Sequence, residues 1–259
     1  MNKPNNYLSL EEIEDGLKKL RLSGMAGMLR NVIDNPQLQG LNFEERLGVL
    51  VHYELEIRRE KRTARCLQRS GLKALEPFSQ AQFSKLIKSK ERKLDNELLE
   101  RLMTCRWLEE GGQNLLINGP TGTGKTWLLA LLGQAACKRG ITVQYLRFNR
   151  LEELIEDAHL HAEAATFRHQ INSYQLLMID DLGTSQLRPD TVSALLAILD
   201  ERIGVQSVAI ASQLPFDEWH QFLGNDRNAD AIIDRLFNSG YQMTLAGRSL
   251  RERRRPVQA

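Results

Sequence analysis

The sequence predicts an α/β fold, a parallel sheet flanked by helices and preceded by a small all-α N-terminal domain. Three observations predict it. From Asp95 onward, short apolar runs alternate with helical patterns, as in a parallel sheet with right-handed crossovers. A glycine-rich loop, Gly119 to Thr126, stands between an apolar strand and an apolar helix. Ahead of residue 71 the pattern is that of helices. The boundaries that follow are 1–70 for the helical domain, 71–94 for a basic connector and 95–259 for the sheet domain.

Ser9 and Glu12 form a capping box that opens a helix through Ile13, Leu17, Leu20 and Arg21, and Gly24 is expected to break or end it. A second helix is expected over Met25 to Ile33, with Pro36 and Gly40 marking the loop after it. Phe43 to Ser70 reads as one long helix, with Leu47, Leu50, Val51, Leu55 and Ile57 on its apolar side, and Gly71 stops it. These helices are too few for a large core, so the domain is expected to dock on partners or DNA. In the sheet domain the candidate strands are 114–118, 142–148, 175–179, 207–212 and 242–245. Helices are expected between them at 125–138, 149–161, 190–203 and 228–238.

With 42% hydrophobic and 26% charged residues, 259 residues can bury one full core and a smaller helical appendage. The longest apolar stretch, Trp127 to Cys137, is interrupted by Gly133 and Gln134 and falls short of the roughly 20 residues that span a bilayer. The first residues lead into a charged amphipathic segment instead of an apolar signal core, so no membrane association and a cytoplasmic location are expected. Cys66, Cys105 and Cys137 lack metal-ligand spacing and read as reduced thiols. His159 and His161 would stand about 200° apart on a helix and do not converge on a metal. The net charge of +2 hides two basic clusters. Residues 58–93 carry twelve Lys or Arg against three Glu, and Arg248, Arg251, Arg253, Arg254 and Arg255 stand against Glu252. Such clusters fit a polyanion, because each neutralised phosphate releases counterions, or else a solvated helix face.

Gly119, Pro120, Thr121, Gly122, Thr123, Gly124, Lys125 and Thr126 match the phosphate-loop pattern G-x-x-x-x-G-K-S/T, with Trp127 following in the helix. The glycines let successive N–H groups turn toward one point, and the helix N-terminus adds favourable potential for phosphate. Lys125 would bridge the β- and γ-phosphates of ATP, and Thr126 would give its hydroxyl to Mg2+. Leu176, Leu177, Met178 and Ile179 close on Asp180 and Asp181, a buried strand delivering two carboxylates to the C-terminal edge of the sheet. Asp180 is placed on the metal side, and Asp181 is placed to orient and polarise the attacking water. Ser207 to Ser212 is another apolar strand, and Gln213 after it is assigned as a sensor of the γ-phosphate.

Taken in order, these blocks resemble the AAA+ ATPases of the helicase-loader clade, and most closely the IstB-type helper ATPases of bacterial insertion sequences. The resemblance rests on the Gly119–Thr126 loop, on Leu176 to Gly183, on Ser212 to Trp219, and on Ala231 to Leu236. It implies an AAA+ P-loop NTPase fold without a C-terminal lid domain, since only eight residues follow Arg251. It implies that Arg235 is an arginine finger offered to a neighbouring subunit, and hence an ATP-dependent homo-oligomer. The clade inserts a helix between the second strand and Asp180, which makes Arg147, Arg150 and Arg168 candidates for phosphate contacts on double-stranded DNA, largely independent of sequence. The implied activity is Mg-dependent ATP hydrolysis by a DNA-transposition helper that recruits or activates its cognate transposase. A replicative helicase loader of the DnaC type is the alternative, and a small-molecule kinase or a nucleotide-gated scaffold are more distant ones. The chain departs from the family in carrying Asp181 where many members have Glu, Gln213 where Asn is usual, and Leu250 in place of Tyr before Arg251, whose role stays open.

Overall fold

A computed structural model of the chain describes residues 7–72, 94–109, 111–183, 187–238 and 240–249. Most of the expected connector, at 73–93, and the arginines from 251 to 255 lie outside the described residues. The chain forms two compact units, 1–64 and 65–259. The boundary falls inside the long helix instead of at residue 70, because Cys66 and Leu67 already pack on the core of the second unit.

The first unit holds α1 (Leu10–Lys19), α2 (Ser23–Asp34), α3 (Pro36–Gln39) and the start of α4 (Phe43–Arg69). The capping box forms, with the Ser9 N–H donating to Glu12 at 2.7 Å and the Glu12 N–H to the Ser9 hydroxyl at 3.3 Å. Gly24 does not break a helix, contrary to expectation. It is the second residue of α2, and the chain turns instead at Arg21, whose φ is +60°. A Cβ on Gly24 would lie 2.9 Å from the Glu54 Cα, so this glycine lets α2 press against α4. The buried Glu54 carboxylate accepts from the N–H groups of Gly24 (2.6 Å) and Met25 (3.1 Å) and from Arg58 Nε (2.6 Å). A side chain from another helix thus takes the place of an N-cap on α2. The apolar side expected for α4 is only partly buried: Leu50 is covered, but Leu47, Val51 and Leu55 are exposed. Val51 and Leu55 each follow Leu50 and Glu54 by one residue, about 100° around the helix, and so lie off the line that carries the Glu54 contact with α2.

The second unit is built on five parallel strands in the order β2-β3-β4-β1-β5: β1 (Asn114–Asn118), β2 (Val143–Arg147), β3 (Leu176–Leu182), β4 (Ser207–Ser212) and β5 (Gly240–Thr244). The central strands β1 and β4 are buried at every residue, whereas the edge strands β2 and β5 are partly exposed. Alternation divides the strand residues between two cores. Leu115, Ile117, Met178 and Ala209 face α5 (Asn96–Met103) and α6 (Lys125–Lys138). Leu116, Leu177, Ile179 and Ile210 face the layer made by α7 (Phe148–Leu160), α8 (Ala164–Asn172), α9 (Pro189–Arg202) and, after the short α10 (Trp219–Phe222), α11 (Arg227–Phe237). Buried Arg202 closes the N-terminal edge of the sheet by donating to the carbonyls of Ile171, Gln175 and Ser207, and burial lowers its pKa to about 10. Cys66, Cys105 and Cys137 form no disulfide. Among the described residues no helix is long and apolar enough to cross a membrane.

Glu54→Ala is expected to cost about 2–3 kcal/mol of stability, since it leaves two helix N–H groups and a guanidinium without their acceptor. The Arg58 hydrogen bond, followed by those from Met25 and Gly24, holds this carboxyl below its ordinary 4.5 against the opposing effect of burial. A depressed folded-state pKa means that the stabilisation is complete above the unfolded value and is lost as the pH falls through the folded one. Denaturation curves of wild type and Glu54→Ala, well separated at neutral pH, should therefore converge on acidification below that ordinary value.

Candidate functional site

Parallel strands end at one edge of the sheet, and this edge gathers most of the residues singled out above. β1 runs into the loop Gly119 to Gly124, which turns into the N-terminus of α6 at Lys125. Gly122 has φ +82°, and a Cβ there would lie 2.1 Å from the Ser249 hydroxyl oxygen. Any side chain there would collide with the C-terminal segment at Ser249. Lys125 is buried, and its ammonium donates to the carbonyls of Gly119 (2.6 Å) and Pro120 (3.1 Å), at the mouth of the loop. The Thr123 hydroxyl donates to Pro120 O at 2.8 Å and stiffens the turn. Trp127 is packed in the core, so beside the loop it offers its backbone.

Asp180 lies two strands away on β3, with β4 between, and is fully buried. Burial raises its pKa and the nearby Asp181 adds to that, while the Thr126 side chain, the Tyr145 hydroxyl and the Asp181 N–H favour the charged form. The Tyr145 hydroxyl donates to one carboxylate oxygen at 2.8 Å and the Asp181 N–H to the other at 2.9 Å. Burial, and then the Asp180 charge, push the Tyr145 phenol well up, so it stays a donor. Between Ile179 and Leu182 the strand takes three steps against two on β4, a bulge, and Asp181 sits there with φ +60°. Left-handed backbone costs a non-glycine residue about 1–2 kcal/mol, and such strain collects at functional sites. Gln213, at the end of β4, accepts from the Thr121 hydroxyl at 2.6 Å, which ties the expected sensor to the loop.

The donor set fits a nucleotide and a divalent ion. A glycine-rich loop is backed by a lysine, and a hydroxyl and a buried carboxylate, drawn from separate elements, act on one another beside it.

Of the other expected residues, Arg235 lies apart from the loop. The carbonyl of Arg235 accepts from Asn114 at 2.9 Å, at the start of β1, a strand length of about 13 Å from its own loop. The Arg235 guanidinium pairs with Asp200 and donates to Ala231 O at 2.8 Å, while the neighbouring Asp234 accepts from Asn238. Arg147 stands opposite Asp180 in register, and its side chain comes up to the Tyr145 hydroxyl. Arg150 pairs with Glu153 at 2.7 Å and Arg168 with Glu201 at 2.5 Å. The run after Gln213 has a packing role: Phe216, Trp219 and Phe237 meet edge to face with centroids 5.4–5.8 Å apart, which seats α11. Tyr145 and Ser249 join the site without having been singled out, since the register that brings them there leaves no local sign.

The chain matches the family model of IstB-like ATP binding proteins over residues 15–258. It is 35% identical to a putative insertion sequence ATP-binding protein of Sinorhizobium fredii over 241 residues, covering 93% of this chain and 96% of the relative. It is 36% identical to the putative ATP-binding protein of insertion sequence IS1162 from Pseudomonas fluorescens over 199 residues, 77% of this chain and 84% of that one. Among solved structures it is similar to DnaI, with a TM-score of 0.52 and 20% identity over 63% of this chain and 88% of that chain, a likeness of fold alone.

Gly122→Ala should retain the fold, because the strain is confined to the loop, yet lose roughly tenfold or more in affinity for ATP. Titration with a fluorescent ATP analogue, alongside far-ultraviolet circular dichroism, checks both halves of that expectation.

Proposed function

The chain belongs to the IstB-like ATP-binding proteins and has the AAA+ P-loop fold, and from that premise we propose that it is an ATP-hydrolysing helper of DNA transposition. In this reading it assembles with ATP on double-stranded DNA and recruits or activates a cognate transposase. The observation that carries the proposal is the meeting of the Gly119–Thr126 loop with Asp180, in a chain whose relatives are named for insertion sequences. The alternative of a replicative helicase loader has the DnaI likeness behind it, which speaks only for fold.

ATP is the substrate, and its phosphates would lie in the hollow of the loop, where the N–H groups at the start of α6 point. Magnesium, held by Thr126 and Asp180, would draw charge from the phosphate oxygens. Lys125 would exchange the Gly119 and Pro120 carbonyls for phosphate oxygens, a substitution of stronger, charge-assisted bonds for neutral ones. Asp181 would take the proton side of the attacking water, and Gln213, tethered through Thr121, would report on the γ-phosphate. Arg235 stands too far from its own loop to act there, which supports a role on the nucleotide of a neighbouring subunit. Surface ion pairs such as those of Arg150 and Arg168 contribute about 1 kcal/mol at most, so exchange of their carboxylates for DNA phosphates is open to them.

Lys125→Ala should abolish ATP-dependent DNA binding. Arg235→Ala should still bind ATP but fail to assemble, with turnover down by roughly 10³-fold or more. Light scattering and DNA binding at several salt concentrations, with ATP or ADP, test this. DNA binding by all three proteins that ignores nucleotide and salt would overturn the proposal.

A further inference from the structure

The free edge of β2 is occupied at one residue by the exit from α4. Tyr145, on that edge strand, donates its N–H to the Ser70 carbonyl at 2.7 Å. Gly71 follows with φ +76°, and a Cβ on it would lie 2.7 Å from the Tyr145 carbonyl oxygen, so the two backbones touch. Leu72 is buried against Gly133 of α6 and Met178 of β3; a Cβ on Gly133 would come within 2.7 Å of it. One turn earlier, the Cys66 thiol lies 2.8 Å from the Cys137 sulfur on α6 and 3.0 Å from Ile141 O. The end of α4 is thus fastened both to the helix that carries the phosphate loop and to the backbone of Tyr145. The side chain of the same tyrosine is buried and donates to Asp180.

We infer that Tyr145 is a positioning residue for the magnesium-side carboxylate, and that through its backbone it couples the exit of α4 to the nucleotide site. The inference rests on the phosphate-loop reading above. A buried carboxylate keeps one orientation only while its oxygens are held. Asp180 has one oxygen held by its neighbour's N–H and the other by the Tyr145 hydroxyl, and the Thr126 side chain also favours its charged form. Without the hydroxyl the carboxylate can turn away from Thr126, and a divalent ion then meets an unprepared pair of ligands. Because Tyr145 is pinned at Ser70 and Gly71, a shift in the last turn of α4 moves the ring and, with it, the carboxylate.

The test uses the full-length protein and a fluorescent ATP analogue, titrated first in chelator and then with increasing Mg2+. Tyr145→Phe keeps the ring and its packing. It should bind nucleotide in chelator as wild type does, yet need roughly tenfold more Mg2+ for the same metal-dependent tightening. Gly71→Ala, which pushes on the Tyr145 carbonyl without touching Asp180, should shift the Mg2+ requirement in the same direction, and the double variant should shift no further than Tyr145→Phe alone. A wild-type Mg2+ requirement in Tyr145→Phe overturns the positioning role. Full additivity in the double variant overturns the coupling. If wild type itself shows no Mg2+-dependent tightening, the reading of the pocket falls and this inference with it.

Discussion

A carboxylate with no exposed surface stays charged in a protein only if donors or a cation surround it, and Asp180 is the point where that constraint shapes this molecule. Its position on β3 needs flanking strands to shut out water. Its two oxygens need donors, one supplied by the next residue's N–H and the other from across the sheet by Tyr145. The bulge at Asp180 and Asp181 is the local consequence. An extra residue in β3 breaks the alternation that would put the two acids on opposite faces, and the left-handed Asp181 turns its own N–H back onto Asp180.

The sheet order adds a second constraint. With β4 inserted between β1 and β3, the loop and the acid are separated by a strand whose end carries Ser212 and Gln213. Ser212 stitches that end to β3, donating to Leu182 O at 2.8 Å, while Gln213 is bonded to the loop through Thr121. The edge is therefore bridged from both sides of β4. β5 closes the far side: Leu245 donates its N–H to Asn118 O at 2.8 Å, and the chain then passes Gly122 at Ser249. The glycines of the loop thus answer to two demands, the approach of phosphate from outside and the approach of the protein's own C-terminal segment.

What was legible in the sequence was what is local. The loop between a strand and a helix, the apolar run ending in two aspartates, the capping box at Ser9 and the strands at 114–118 and 207–212 all follow from patterns a few residues long, and the α/β fold with a parallel sheet follows from their alternation. What was not legible depends on register or on a distant partner. Gly24 looks like a helix breaker by propensity, and it is the Glu54 carboxylate thirty residues away that accepts from its N–H in the first turn of α2. Leu47, Val51 and Leu55 have the spacing of a buried face, yet the surface they would need is taken by the Leu50 and Glu54 line. Tyr145 reads as an ordinary strand aromatic, because nothing in its neighbourhood announces that β2 pairs with β3 in the register that sets Arg147 opposite Asp180.

In the proposed assembly, the intramolecular contact of Arg235 sets the cost of its release. Its guanidinium is held by Asp200, with about a quarter of the arginine side chain and nearly half of the aspartate side chain exposed. A pair so open to solvent contributes on the order of 1 kcal/mol or less, since water screens it and ordering two long side chains opposes it. The hydrogen bond to Ala231 O adds a similar amount. Releasing the guanidinium toward the triphosphate of a second subunit would therefore cost about as much as one charge-assisted hydrogen bond returns. The contact holds the arginine in a defined place while the subunit is alone, and it is weak enough that a concentrated negative charge at the facing surface would outbid it. A deeper or bidentate pair, by contrast, would have locked the residue within its own chain.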